Sequence, residues 1–315
     1  MSKRVGFVFP GQGSQFVGMG QPWAVSHGVA RATFEEADDL LGQSLSALCW
    51  NGPEEELQLT ANTQPALLAT SVAILRVLRE SSIDPVVVAG HSLGEYSALV
   101  AAGGLQFGDA LRLVRRRGEA MQEAVPVGQG SMAAILGLEV EEIEAAAEQS
   151  AEQGVCAVAN FNAPGQIVIA GHTAAVERTV ELCKEKGARR AILLPVSAPF
   201  HSPLMAPARE SLTPFLEQAT FADLAVPVVT NVDAAPVRTG SEAREALRRQ
   251  IDGPVRWIES VEWMGAQGGA ELFVEVGPGK VLTGLNRRIA PQIKTLSLNE
   301  PEGLDKLLER MGESP

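Results

Sequence analysis

The sequence predicts an α/β protein built on a largely parallel sheet, with a small ferredoxin-like unit inserted into it. Two observations carry this reading. Strand-like runs alternate with helix-length amphipathic segments, the pattern of parallel strands joined by helical crossovers. Between about Gly130 and Leu194 the order becomes strand, helix, strand, strand, helix, strand, which is a split βαβ unit. That stretch follows the Gly/Pro-rich VPVGQGS and stops at Pro195. It therefore reads as a small domain, 129–195, set within a large one made of 1–128 and 196–315.

Taken in order, the first strand is Val5–Phe9, an apolar run stopped by Pro10 and Gly11. A long apolar helix fits Thr63–Glu80, and the β-branched Val86–Ala89 gives the next strand. Helices fit Leu93–Ala102 and Gly108–Ala124. The small unit then supplies strands at Ala133–Leu136, Val155–Ala159, Gln166–Ala170 and Ala191–Leu194, with helices at Val140–Gln149 and Thr173–Lys186. Beyond it come a helix at Leu204–Gln218 and a strand at Leu272–Val276, then a Gly/Pro turn opening a further helix. The tail after Pro301 reads as a surface helix.

Composition narrows the class. At 315 residues the chain suits about two domains, and its 45% apolar and 20% charged residues are those of an ordinary globular protein. Lys+Arg 26 against Asp+Glu 38 gives a net charge of −12, which argues against a general nucleic-acid binder. Anionic substrates would need a local basic patch, since the average field repels them. Cys49, Cys156 and Cys183 are odd in number and form no CxxC pair, so neither a disulfide framework nor a zinc site is expected. The short N-terminal apolar run is no signal-peptide core, and no stretch approaches the ~18 apolar residues that span a bilayer. The expectation is a cytoplasmic protein without a membrane segment.

Val86–Ala89 runs into Gly90-His91-Ser92-Leu93-Gly94 and then a helix. Strand, GxSxG and helix in that order form a nucleophile elbow, which lifts a serine hydroxyl from a tight turn above a sheet. The simpler alternative is that Ser92 only caps the following helix. A serine nucleophile needs a base, and histidine is the usual one. Of the four histidines, His91 is adjacent to Ser92 and should aim elsewhere. His27 has nothing catalytic near it, and His172 reads as part of a polar helix cap. His201, in the irregular loop VSAPFHSPL, remains as the base. No acidic residue announces itself as its orienter.

On the helix Gly108–Ala124, the positions Ala110, Val114, Arg117 and Met121 step by 4, 3 and 4 and share one face. Arg117 therefore points inward, unlike Arg112, Arg115 and Arg116. It pairs with an internal carboxylate, snorkels to water, or awaits a substrate carboxylate held bidentately. After the first strand, Gly11-Gln12-Gly13 lacks a dinucleotide fingerprint and a GK[ST] sequence. The glycines instead let the Gln12 backbone approach a reacting carbonyl, unless this is a plain turn. In VEVGPGKVL, Lys280 faces a phosphate or belongs to a structural turn.

GQGSQ, GHSLGEYSALVAAG, VRRRGEAMQ, NAPGQIVIAG, VSAPFHSPLM and EVGPGKVL occur in that order. Together they resemble the malonyl-CoA:acyl-carrier-protein transacylases of fatty acid synthesis, over nearly the whole chain. The resemblance implies a hydrolase-like α/β domain with an inserted ferredoxin-like subdomain. It implies ping-pong transfer, with malonyl-CoA and holo acyl carrier protein as partners and neither metal nor redox cofactor. Ser92 matches the acylated serine, His201 its base, and Arg117 the arginine that meets the malonyl carboxylate. The backbone N–H groups of Gln12 and Leu93 match the oxyanion hole. A backbone carbonyl matching Gln250 orients the histidine, which accounts for the missing acid. Asn160 and Asn162, at the end of a small-domain strand, match cleft residues, and Met121 and Phe200 are expected to crowd the acyl group. Two competing readings are an acyltransferase serving a polyketide pathway and a thioesterase or esterase. The latter requires an acid between Ser92 and His201 in chain order and leaves Arg117 without a role.

Overall fold

In the computed structural model residues 3–196 and 198–312 are described. Residues 1, 2, 197 and 313–315 of the expected large domain lie outside the described residues, Ser197 of VSAPFHSPLM among them.

Short β-branched runs form a sheet wherever they can be covered on both faces. Strands β1 (Val5–Phe9), β2 (Val87–Gly90) and β9 (Leu272–Glu275) are buried at every position, as expected for parallel strands sandwiched between helices. With β7 (Val228–Val229), β8 (Pro236–Val237) and β10 (Lys294–Ser297) they form one sheet in the order β10-β9-β1-β2-β7-β8. All its pairs are parallel except β7 with β8. The central β1 and its neighbour β2 thus end side by side, and the turns that follow them meet.

Helices α1 (Gln21–Ser26), α2 (Gly28–Leu41), α3 (Leu45–Asn51), α4 (Glu54–Leu57), α5 (Thr60–Glu80), α6 (Gly94–Ala101) and α7 (Phe107–Glu123) occupy most of the chain between β1 and residue 123. The long α5 is buried over most of its length, its Ala66, Ala69 and Ala73 letting neighbours come close. Gly118 of α7 makes that approach possible: a Cβ there would lie 2.8 Å from the Thr60 oxygen and the Ala61 Cα. The two helices are thereby brought together beside the site.

The second sheet contains β3 (Gly130–Leu136), β4 (Cys156–Ala163), β5 (Gln166–His172) and β6 (Arg190–Leu193), in the order β4-β5-β3-β6 with every pair antiparallel. Its helices are α8 (Val140–Gln149), opened by a Glu139/Glu142 capping box, and α9 (Thr173–Glu185). Ile135, Ile143, Ile167, Ile169, Val176 and Val180 close a separate apolar cluster between them. This is the ferredoxin-like connectivity that the sequence predicts. The remaining helices are α10 (Ala206–Gln218), α11 (Gly240–Gln250), α12 (Trp257–Ala266), α13 (Val281–Ile289) and α14 (Glu302–Gly312). The two sheets are stitched by Val255, which donates to the Ala159 carbonyl at 2.8 Å and accepts from the Phe161 N–H at 2.9 Å. Arg288 adds bonds to Gln166 and the Pro164 carbonyl.

Some expectations change. The strand expected to stop at Ala159 continues to Ala163 through irregularities at Val158/Asn160 and Phe161/Ala163, so Asn160 and Asn162 lie within β4 and not at its end. The helix expected from Leu204 opens as a 3-10 turn, Pro203–Met205, before α10. Among the described residues, no helix is long and apolar enough to cross a membrane.

Candidate active site

The site is assembled where β2 meets α6. Only His91, Ser92 and Leu93 separate them, so the turn is sharp. Ser92 has φ 52°, a left-handed conformation uncommon for a residue with a side chain. Glycines on either side allow it. A Cβ on Gly90 would lie 1.8 Å from the Gly94 carbonyl carbon, and one on Gly94 would lie 2.1 Å from the Phe9 oxygen. Such a backbone costs ~1–3 kcal/mol and persists only where its surroundings hold it. Asn231 and Gln250 do the holding. Asn231 Oδ1 accepts the Ser92 N–H at 2.6 Å while its Nδ2 donates to the Gly90 carbonyl at 2.6 Å. Gln250 Nε2 donates to the Ser92 carbonyl at 2.9 Å.

His201 Nε2 lies 2.6 Å from Ser92 Oγ. Its Nδ1 faces two backbone carbonyls, Gln250 at 3.0 Å and Gly253 at 3.1 Å. Two acceptors at Nδ1 require the proton there, so Nε2 is the acceptor for the Ser92 hydroxyl. The ring is 4% exposed. Burial, then the Arg117 charge, then His91 pull its pKa down to about 3. The imidazole is therefore neutral near pH 7, the form a general base must take.

Arg117 sits on the inward stripe of α7 and is 1% exposed. Its Nη1 donates to Gln64 Oε1 at 2.9 Å, and its Nη2 to Gln250 Oε1 at 2.9 Å and Ser92 Oγ at 3.1 Å. Its Nε is buried without a partner. Among the described residues it forms no ion pair, and at 1% exposure it does not snorkel to water, so neither the internal carboxylate partner nor the solvated head is found. Burial lowers its pKa, opposed by Tyr96 and Glu95. A cation held by neutral amides beside a reactive hydroxyl is poised for an anion brought by a ligand.

Gln12 and Leu93 come from two turns that line one cavity with Ser92. Gly11 lies so close to the elbow that a Cβ would meet the His91 oxygen at 2.4 Å. Among the described residues, neither the Gln12 nor the Leu93 backbone N–H has an acceptor. Both residues line a cavity of about 440 Å³ with Ser92, His201 and Arg117. Met121, Asn160, Asn162 and Phe200 line it too. Gln250 contributes from beneath, through its carbonyl and its side chain.

The other histidines have different work. His91 points its Nε2 to Asn162 Oδ1 at 2.8 Å and rests against the Trp257 ring. His27 stacks on Trp23. His172 is the N-cap residue of α9, as expected, but its side chain makes no cap bond and its Nδ1 instead accepts the Val155 N–H at 2.9 Å. Lys280 is exposed, outside the cavity lining. Sequence reasoning missed Gln64, Glu95, Asn231 and Gly253. Glu95 follows the GxSxG turn directly and reads as an ordinary acid in a helix's first turn. Gln64 was detectable as a polar residue within the apolar α5, whereas Asn231 and Gly253 carry no local signal.

Residues 6–295 match the family model described as an acyl transferase domain. The chain is 53% identical over 304 residues to a malonyl CoA-acyl carrier protein transacylase of Escherichia coli strain K12, covering 96% of this chain and 98% of that one. It superposes with a TM-score of 0.94 on an acyl carrier protein S-malonyltransferase from Vibrio cholerae, at 50% identity, covering 96% and 99% of the two chains. A malonyl-transacylase solved in complex with a holo type II polyketide acyl-carrier protein is 48% identical, with a TM-score of 0.95 over 97% and 99%.

Proposed function

We propose, from the premise that this chain belongs to the acyl transferase family and to its malonyl-CoA:acyl-carrier-protein transacylases, that it moves a malonyl group through an ester on Ser92. The donor is malonyl-CoA and the acceptor is the phosphopantetheine thiol of a holo acyl carrier protein, supplying fatty acid synthesis. The observation that carries this reading is the contact of one hydroxyl with two groups. Ser92 Oγ is 2.6 Å from a neutral His201 and 3.1 Å from a buried Arg117 that has no carboxylate partner among the described residues.

In the first half-reaction His201 Nε2 takes the Ser92 proton as the oxygen attacks the malonyl thioester carbonyl. The tetrahedral oxyanion is held by the Gln12 and Leu93 N–H groups, each worth ~2.7–4 kcal/mol by comparison with a measured donor. The C–S bond breaks, and CoA leaves as a thiol with the proton from His201. In the second, His201 takes the proton of the carrier thiol, whose sulfur attacks the serine ester. The C–O bond then breaks and the proton returns to Ser92. His201 carries positive charge only transiently, and the Gln250 and Gly253 carbonyls support the imidazolium. Arg117 holds the malonyl carboxylate throughout, while Met121, Phe200, Asn160 and Asn162 shape the cleft. None of these steps calls for a metal or redox cofactor.

The carbonyl partners of His201 disfavour an esterase reading, which needs an acid in that place. The likeness to a transacylase bound to a polyketide carrier supports a second reading, in which the acceptor serves a polyketide pathway. The separate antiparallel sheet and apolar cluster support a subdomain at 129–195 within 1–128 and 196–315. Free cysteines support a reducing, cytoplasmic setting.

The test is incubation with malonyl-CoA, with and without holo carrier protein, followed by intact mass. Wild type should gain a malonyl adduct and discharge it to the carrier, and Ser92→Ala should do neither. An adduct that survives in Ser92→Ala, on another residue, sinks the proposal.

A further inference from the structure

Glu95 is the second residue of α6, one position beyond the GxSxG turn, and it is fully buried. It does not touch the cavity or the reacting atoms. Its Oε2 accepts two hydrogen bonds, from the Asn231 backbone N–H at 2.9 Å and from Gln250 Nε2 at 2.9 Å. Each of those partners reaches the site in turn. Asn231 spans the elbow from the Ser92 N–H to the Gly90 carbonyl. Gln250 spans from the Ser92 carbonyl to the Arg117 guanidinium.

The Gln250 amide has a polarity that its neighbours must set. Its Nε2 faces three acceptors: the Ser92 carbonyl, Glu95 Oε2 and, at 3.4 Å, Asn231 Oδ1. Its Oε1 faces one donor, Arg117 Nη2. Reversing the amide would set an NH₂ against a guanidinium and an oxygen against a carboxylate. The ionised carboxylate, being acceptor-only, forbids that reversal. Buried networks of this kind are stable only when every member is matched.

We propose that Glu95 is a positioning residue for the transfer, which through Asn231 holds the strained Ser92 elbow and through the Gln250 amide sets Arg117 against the incoming carboxylate. The inference rests on the reading of Ser92 as nucleophile and Arg117 as carboxylate anchor. It has a specific corollary. Both bonds arrive at one oxygen, so a glutamine at 95 can accept both and keep the arrangement. An apolar residue of similar size cannot, and an aspartate draws its oxygen back by one carbon and loses the 2.9 Å contacts.

The experiment measures kcat/KM for malonyl-CoA and acetyl-CoA on wild type, Glu95→Leu, Glu95→Asp and Glu95→Gln, with Arg117→Ala as reference. Labelling by a fluorophosphonate, which carries no carboxylate, reports Ser92 and His201 without the carboxylate pairing to Arg117. In Glu95→Leu and Glu95→Asp the malonyl-over-acetyl ratio should fall at least tenfold and labelling should slow, while Glu95→Gln keeps the ratio within about threefold. A loss of general stability would lower both substrates together and leave the ratio alone. Aspartate keeps a buried carboxylate, so it decides the matter if leucine does not fold. An unchanged ratio in Glu95→Asp, or a glutamine variant as unselective as the aspartate one, overturns the proposal. If Arg117→Ala itself leaves the ratio unchanged, the underlying site reading has failed instead.

Discussion

Replacing Arg117 by alanine should convert a malonyl-selective enzyme into one that no longer prefers malonyl over acetyl. The guanidinium is buried, bonded to Gln64, Gln250 and Ser92, and has an unpartnered Nε. Among the described residues every hydrogen bond it makes is to a neutral group, so its charge is uncompensated in direct contact until a carboxylate enters. Breaking a buried ion pair by removing one partner costs about 3–5 kcal/mol, and less if water enters the cleft. An acetyl group presents that deficit at once. At about 1.4 kcal/mol per tenfold, wild type should favour malonyl by roughly a hundredfold or more. Arg117→Ala should depress malonyl transfer by that order and leave acetyl transfer equal or improved. The assay is kcat/KM for both thioesters, with Ser92 acylation followed by intact mass. The same variant carries a second signature. Arg117 is the second-largest cause of the depressed His201 pKa, after burial. The acid limb of acylation assigned to His201 should lie below pH 5 in wild type and move upward without the guanidinium. If both substrates fall by the same factor and the limb stays in place, Arg117 is structural and the carboxylate is read elsewhere.

Glu95 offers a linkage test, because burial pushes its pKa up to about 7, opposed by Asn231, Gln250 and Arg117. A pKa raised above the ordinary 4.5 gives stability that is complete below pH 4.5 and lost as pH rises through about 7. Glu95→Gln cannot ionise. Its unfolding free energy relative to wild type should climb over that window by up to about 3 kcal/mol, at ~1.36 kcal/mol per pH unit, and a flat difference in urea titrations refutes this. Docking of an acidic carrier on an enzyme of net charge −12 must use local cations. Lys184, Lys186, Arg189 and Arg190 are exposed at the end of α9 and the start of β6. Lys280, Arg287 and Arg288 make a second basic segment, in which Arg288 is engaged with Gln166 and Pro164. Changing Arg189 and Arg190 to Glu should raise the KM for carrier and blunt its salt dependence, leaving malonyl-CoA kinetics alone. Unmoved carrier kinetics exclude this patch.

The sequence by itself determined the elements whose signals are local. The buried parallel strands read as apolar runs, the small unit declared its order of strands and helices, and the GHSLG turn placed Ser92 between β2 and α6. The 4-3-4 spacing turned Arg117 inward because side chains on one helix face recur with that period. Elimination among four histidines left His201, the glycines around Gln12 pointed to its backbone, and motif resemblance added Leu93 and Gln250. The short strands β7 and β8, of two residues each, and the edge strand β10 of mixed polarity were missed. So were α1 to α4, α11 and α12, although α2 and α11 have the length and the amphipathic period of ordinary surface helices. Only the tertiary structure decided what surrounds the hydroxyl. Asn231, Gln250 and Gly253 reach Ser92 and His201 from segments 30 or more residues beyond His201 in the chain. Each makes a bond that no local pattern announces, because one amide or one glycine looks the same in sequence whether it faces water or a nucleophile. The same holds for Arg117, whose burial the spacing shows but whose lack of a carboxylate partner appears only when Gln64 and Gln250 are seen occupying its donors. Charge compensation depends on every chain segment that folds against the group, and that is a property of the assembled core.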